Sequence, residues 1–213
     1  MKNVGMISVT FNAVVPMMKA LKDECSLRIK NYLDEGLQAL VQREGKVTDN
    51  SVARMINLVH NAIYDGADAI LLTCTVFTPY LERIQSLFGV PLVSADGAML
   101  EQAAKMNRKT AILCTFPATT ESSASVFNAA SCRFGTNAKA EIYLLEDAAQ
   151  AIQDGDILRH NRLIADKAIE LGANYDVVVL AQISMSAAAD LLKDVPFTVL
   201  TSPRSSIETL LKL

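Results

Sequence analysis

The chain has 213 residues, of which 51% are hydrophobic and 6% aromatic, with no Trp and a net charge of −3. That is enough apolar material for one sizeable core or for two lobes of about 100 residues each. The mild acidity excludes a basic surface that reads nucleic acid, and no apolar run approaches the roughly 20 residues that span a bilayer.

The first ten residues resemble a signal hydrophobic region for only six positions. They break at Phe11-Asn12 with no small-residue cleavage site, so 3–9 reads as a first strand. Pro16 fits a first helical turn, which predicts a helix over 16–43. A helix over 50–65 follows, then strands over 69–73 and 92–93 and a helix over 96–106. The second part repeats the alternation: strand 110–114, helix 120–134, strand 140–145, helix 156–171, strands 177–181 and 197–200, and helix 202–212. Asp96, Thr120, Asp156 and Ser202 are good N-cap types for four of these helices. Short Val/Ile/Leu runs alternating with segments of helical period predict βαβ units around a mostly parallel sheet, covered by helices on both faces.

The chain is written twice. Asp68-Ala-Ile-Leu-Leu-Thr-Cys74-Thr75, followed by Val90-Pro91, matches Asp176-Val-Val-Val-Leu-Ala-Gln182-Ile183-Ser184, followed by Val195-Pro196. Residues 3–11 match 109–116 at an offset of 105, which makes Cys114 the counterpart of Val9. The expected fold is therefore α/β: two similar lobes related by a pseudo-twofold duplication, each a mostly parallel sheet flanked by helices. The expected lobes are 1–107 and 108–213, with exchange of terminal helices between them possible. Two units are too few for a solenoid.

Four cysteines, Cys25, Cys74, Cys114 and Cys132, are widely spaced, with no CxxC pair and no Cys/His cluster. No metal site is expected, and a reduced, cytoplasmic protein fits better than a secreted one. Cys25, in a helix, and Cys132, near a helix end, read as packing residues. His60 and His160 read as surface or boundary residues in amphipathic helices. Glu146-Asp147 with Asp154 and Asp156 reads as a solvated acidic helix start, and Arg204 as a surface residue with an anion-facing alternative. There is no Walker loop, GxGxxG or GxSxG, so nucleotide binding and serine hydrolysis have no support.

Ligands of open α/β sheets bind at the carboxyl ends of the strands. That rule nominates Thr10, Phe11 and Asn12, then Cys74, Thr75 and Thr78, then Thr115, Thr119 and Thr120, and finally Gln182 and Ser184. These are mostly hydroxyls and amides, with no ionised side chain. They suit a small carboxylate held by neutral donors and helix N-termini. Cys74 sits at a strand end before a turn whose backbone N–H groups favour thiolate. A thiol beside a carboxylate substrate can move a proton at the carbon α to the acid; the alternative is a small buried hydrophobe. Phe11, Phe77, Tyr80 and Phe116 leave room for an apolar group or belong to the core.

The pattern Gly-Ala-Asp-Ala-Ile-Leu-Leu-Thr-Cys74-Thr75, then Val-Pro-Leu-Val, with a second half ending Asp-Val-Val-Val-Leu-Ala-Gln182-Ile-Ser-Met-Ser, resembles the aspartate/glutamate/hydantoin racemase superfamily. That group includes maleate isomerases and arylmalonate decarboxylases. The resemblance implies cofactor-independent chemistry between two lobes, a homodimer, and one cysteine from each lobe on opposite sides of the substrate carbon. Cys74 matches the first cysteine and Thr75 its carboxylate-binding neighbour. Asn12, Thr119 and Thr120 fall where relatives hold the carboxylate.

The departure lies in the second lobe, where Ala181-Gln182-Ile183-Ser184-Met185 stands in place of Ala-Cys-Thr-Gly-Met. A neutral amide only donates and accepts hydrogen bonds, so this alignment excludes a two-cysteine racemisation. Three readings remain: a one-thiol isomerase or lyase built on Cys74, a racemase with an unusual second acid such as Ser184 or water, and a non-catalytic small-carboxylate binding or regulatory protein.

Overall fold

The computed structural model describes residues 1–22 and 24–213. The chain divides into two compact units, Met1–Ala98 with Pro203–Leu213, and Met99–Ser202.

The first unit contains β1 (Lys2–Ser8), α1 (Phe11–Ala20), β2 (Leu27–Leu33), α2 (Glu35–Glu44), α3 (Asp49–Tyr64) and β3 (Ala69–Leu72). A 3₁₀ turn (Thr75–Tyr80), the short α4 (Leu81–Gln85), β4 (Leu92–Ser94) and the start of α5 (Ala95–Met106) follow. Its four strands are all parallel, in the order β2-β1-β3-β4. The second unit contains β5 (Thr110–Cys114), α6 (Pro117–Phe134), β6 (Ala140–Leu144), α7 (Glu146–Gln153), α8 (Ile157–Gly172), β7 (Val177–Leu180), a 3₁₀ segment (Ile183–Leu191) and β8 (Thr198–Thr201). Its order, β6-β5-β7-β8, is the same and again all parallel. The last helix, α9 (Ser202–Lys212), belongs to the first unit from Pro203 onward.

The duplication extends to single hydrogen bonds. Asn3 N donates to the Asp68 carboxylate at 2.8 Å while Asp68 N donates to Asn3 O at 2.8 Å. Lys109 N and Asp176 repeat the pair at 3.3 and 2.9 Å. This clasp sets where the third strand enters beside the first. Val4 then pairs with Ala69, and Thr110 with Val177. Counting along these strands makes Ser8, not Val9, the counterpart of Cys114, so the offset of 105 is one short for this segment.

Continuous apolar strands bury both faces. In the second unit Ala111, Leu113, Val178 and Leu180 pack on one side with Ala148, Ile164 and Ala168, whereas Ile112, Cys114, Val177 and Val179 pack on the other with Met99, Phe127 and Ala130. Fully burying one such aliphatic chain contributes about 1.5–3 kcal/mol, so each strand residue anchors its own helix layer.

The expected helix over 16–43 is wrong. The chain instead makes α1, β2 and α2. Leu27-Arg-Ile-Lys-Asn-Tyr-Leu33 is an edge strand with Leu27 buried and Ile29 and Tyr32 half-buried, an alternation that breaks after Ile29 and that the flanking helical segments obscured. Thr10 starts α1, its side chain accepting from Asn12 N, so Pro16 lies inside that helix and not at its start. Cys25 sits in an exposed turn and Cys132 is exposed, so neither is a packing residue. Cys114 is fully buried in the core.

His160 is fully buried, its Nδ1 2.8 Å from Ala148 O, whereas His60 is exposed. Asp156 caps α8, accepting from Arg159 N, and Glu146 and Asp147 occupy the first turn of α7. No helix among the described residues is long and apolar enough to cross a membrane.

Close approach between α3 and the first sheet requires Gly5, where a Cβ would lie 2.6 Å from Ala62 Cβ and 3.0 Å from Ile70 Cδ1. Gly5→Ala is expected to destabilise the protein by about 1–3 kcal/mol through overpacking, read as a lower urea midpoint at unchanged slope.

Candidate active site

In the first unit β1, β3 and β4 end on the same edge of the sheet. The backbone leaves β3 through Thr73 and turns at Cys74, which caps the 3₁₀ turn in extended conformation (φ −105°, ψ 110°). Thr73 N donates to Ile7 O at 3.0 Å, extending the ladder by one residue, and Thr73 Oγ1 donates to Ser8 Oγ at 3.0 Å. Phe77 N donates to Cys74 O at 3.1 Å and closes the turn. Cys74 is thereby held at the strand end by backbone bonds on both sides. Thr75 is buried beside it, and Thr10 stands where β1 ends. Asn12, on the first turn of α1, is exposed.

The thiol departs from expectation. Burial, the largest influence, pushes the Cys74 thiol up to about 12, although backbone N–H groups of Val76 and Phe77 favour its ionised form; a charge on Asp96 would act in the same direction as burial. Although Cys74 keeps partial exposure as a residue, the resting sulfur is a thiol, not a thiolate.

Asp96 is the residue that sequence reasoning missed. It was read as a helix N-cap, whereas α5 begins at Ala95 and places Asp96 in its first turn, only 2% exposed. Its Oδ1 accepts from Thr78 Oγ1 at 2.7 Å and from Ser94 Oγ at 2.5 Å. Thr78 belongs to the turn that Cys74 starts, and Ser94 ends β4. A carboxylate five residues after the Pro of a Val-Pro strand entry, with hydroxyls at Thr78 and Ser94, is the local signal of this arrangement in the sequence. Burial holds the Asp96 carboxyl above the usual carboxylate range, against the pull of these hydroxyls and of nearby backbone N–H groups.

The second unit repeats the geometry with different chemistry. Ala181 N donates to Leu113 O at 3.0 Å, Gln182 turns in extended conformation (φ −123°, ψ 144°), and Met185 N donates to Gln182 O at 3.0 Å. By register and by hydrogen bonding Gln182 is the internal counterpart of Cys74. Its Oε1 accepts from Thr115 N at 2.6 Å and from Thr115 Oγ1 at 3.0 Å. A backbone N–H can only donate, so the oxygen of the amide must face Thr115 and the Nε2 group is left free to donate elsewhere. Ser184 is half-buried on the 3₁₀ segment, and no histidine lies on that segment to activate it.

α6 starts at Pro117, so Thr120 is not its N-cap. Thr119 Oγ1 donates to Phe116 O at 2.6 Å and Thr120 Oγ1 to Pro117 O at 2.7 Å. Both hydroxyl protons are therefore used within the helix. Of the aromatic residues expected near a ligand, Phe77 is a fully buried core residue and Phe11 is exposed. Arg204 is exposed and pairs with Glu208 at 3.1 Å. Among the described residues no cluster of His, Cys, Asp or Glu is arranged to hold a metal ion.

These features define a duplicated, wholly parallel α/β protein with a thiol at one strand end and an amide at its repeat. The family described as Asp/Glu/Hydantoin racemase matches residues 11–210, and the chain belongs to that family. No curated protein sequence matches it. Its fold is that of Picrophilus torridus aspartate racemase (TM-score 0.75, 15% identity, covering 100% of this chain and 94% of that one). Allantoin racemase from Klebsiella pneumoniae is equally similar in fold (TM-score 0.75, 12% identity, 100% and 87% covered). Glutamate racemase from Francisella tularensis follows at TM-score 0.71 and 12% identity, with 99% and 80% covered.

Removing the Gln182 acceptor strands the Thr115 N–H. Gln182→Ala is expected to cost about 1–3 kcal/mol. Gln182→Glu, which keeps an acceptor oxygen, should recover most of that loss at neutral pH when both are compared by chemical denaturation.

Proposed function

We propose that the protein is a cofactor-independent enzyme that acts at the carbon α to a small carboxylate, with Cys74 as its one acid/base thiol. The observation that carries this reading is the thiol of Cys74 at the carboxyl end of β3, disfavoured from ionising by burial, with a proton-inert amide, Gln182, at the equivalent place in the repeat. A thiol held in its neutral form is a proton donor first and a nucleophile second, because the thiolate is the attacking species. This favours a lyase or one-face isomerase reaction over addition of sulfur to a double bond.

In the lyase form the substrate loses carbon dioxide, the electron pair of the broken carbon–carbon bond passes into an enediolate, and the Cys74 S–H proton goes to the α carbon. The resulting thiolate recovers its proton from water. Thr75 and Thr10 at the adjoining strand ends and Asn12 on the first turn of α1 are the proposed donors to the carboxylate. In the second unit Gln182, its Oε1 committed to Thr115, keeps its Nε2–H as a donor, and Ser184 its hydroxyl. Neutral donors suit a single carboxylate better than two firmly held charges.

Proton NMR in deuterium oxide tests the reading, with amino acids, hydantoins and substituted malonates as substrates. Loss of an α-proton or of carbon dioxide is expected in wild type and in Gln182→Ala, and is expected to vanish in Cys74→Ala. Turnover that survives Cys74→Ala would sink the proposal. Tight binding with no turnover would instead identify a carboxylate-binding protein.

The pH profile is a second check. The working form is the protonated thiol, so activity should hold through neutral and mildly alkaline pH and fall only as the pH climbs toward about 12. Activity that instead rises through the usual thiol range would mean that the thiolate does the work.

A further inference from the structure

Three oxygens meet where the turn capped by Cys74 reaches the end of β4. Thr78 Oγ1 and Ser94 Oγ lie 2.6 Å apart, and each lies within hydrogen-bond distance of the same Asp96 oxygen, at 2.7 and 2.5 Å. All three residues are buried. Three such contacts need three protons, but two hydroxyls supply only two. If both hydroxyls donate to an ionised Asp96, the contact between them sets two lone pairs against each other. If one hydroxyl donates to the other, one contact to the carboxylate is left without a proton. A proton on Asp96 Oδ1 closes the ring, each oxygen donating to the next. The other carboxyl oxygen, Oδ2, is buried with no hydrogen-bond partner. As half of a carboxylate it would carry bare charge in the interior. As the carbonyl of a neutral acid it costs far less.

We infer that Asp96 is held as a neutral carboxylic acid by Thr78 and Ser94, a positioning residue that keeps a second negative charge away from Cys74. This rests on the proposed role of Cys74 but is tested without substrate. A charge on Asp96 would act on the Cys74 thiol in the same direction as burial. The mechanical link is short: Cys74 caps the turn and Thr78, within it, is bonded to Asp96. Gly97 lets the parts approach, since a Cβ there would lie 3.2 Å from Ser94 Cβ and 3.4 Å from Thr78 Cγ2. With Asp96 neutral, Cys74 can become a thiolate after giving up its proton without meeting a second buried negative charge. With Asp96 ionised it cannot. The second unit lacks the device, because Pro203 follows β8 at the corresponding step.

Infrared difference spectroscopy on the whole protein reads the proton directly. A carboxylic-acid carbonyl band is expected in wild type at neutral pH, persisting in Cys74→Ala and absent in Asp96→Asn. In parallel, iodoacetamide labelling of the Cys74 peptide is followed by mass spectrometry, which separates it from exposed Cys25 and Cys132. Asp96→Asn is neutral like the acid it replaces, so at about pH 9 its Cys74 should label at the wild-type rate within about twofold, whereas loss of a charge from wild-type Asp96 would speed labelling about tenfold, one unit of thiol pKa. An absent acid band in wild type overturns the inference with no variant needed, and so does a tenfold faster labelling in a folded Asp96→Asn. Neither readout requires turnover, so a failed activity screen leaves this test intact.

Discussion

The pairing of the first and third strands of each sheet is the constraint from which the rest follows. A parallel ladder fixes register by backbone hydrogen bonds alone, and here one carboxylate at the strand entry, Asp68 or Asp176, clasps the N–H of the partner strand. Once that register is set, the residue two beyond the third strand must stand at the sheet's carboxyl edge. In one unit that residue is Cys74 and in the other Gln182. The backbone gives both the same extended cap and the same closing bond from three residues on. The side chain alone differs.

What the two positions do with that shared backbone is decided by what lies beside them. The first unit surrounds its strand end with buried hydroxyls and a buried carboxyl, groups that store or accept protons. The second joins its amide to Thr115, spending the oxygen on structure and freeing the nitrogen as a donor. On the proposed reading, one copy has kept proton chemistry and the other has become a grip. Duplication makes such division possible, because a change at one strand end leaves the other sheet's register untouched.

Much of this was legible in the residues. The central strands are mostly Val/Ile/Leu runs, and the repeated Asp-strand-Val-Pro pattern marked two like sheets, although the units divide after Ala98 and the first includes Pro203–Leu213. The edge strand β2 was not legible. Leu27–Leu33 alternates weakly, exposes charged side chains, and lies between helical stretches whose period drowned it. The charge state of Cys74 was half legible: the turn's N–H groups could be foreseen, but desolvation depends on everything packed around the sulfur. His160 failed for the same reason, since a helical face does not say which neighbour covers it, and here α7 supplies the Ala148 carbonyl.

Asp96 illustrates the limit most clearly. An acidic residue after a strand and before a helix is nearly always a solvated cap, and the sequence around it supports that reading. Its role depends on the turn after β3 and the end of β4 arriving at one place, and that follows from β3 and β4 being neighbours in the sheet. Thr78 and Ser94 are separated by sixteen residues along the chain but by one strand spacing in the fold. Two hydroxyls and a carboxyl brought together in this way have one proton too few when the acid is ionised. Counting those protons, and not the solvent exposure of any one residue, is what makes the carboxyl part of the chemistry of the cysteine above it.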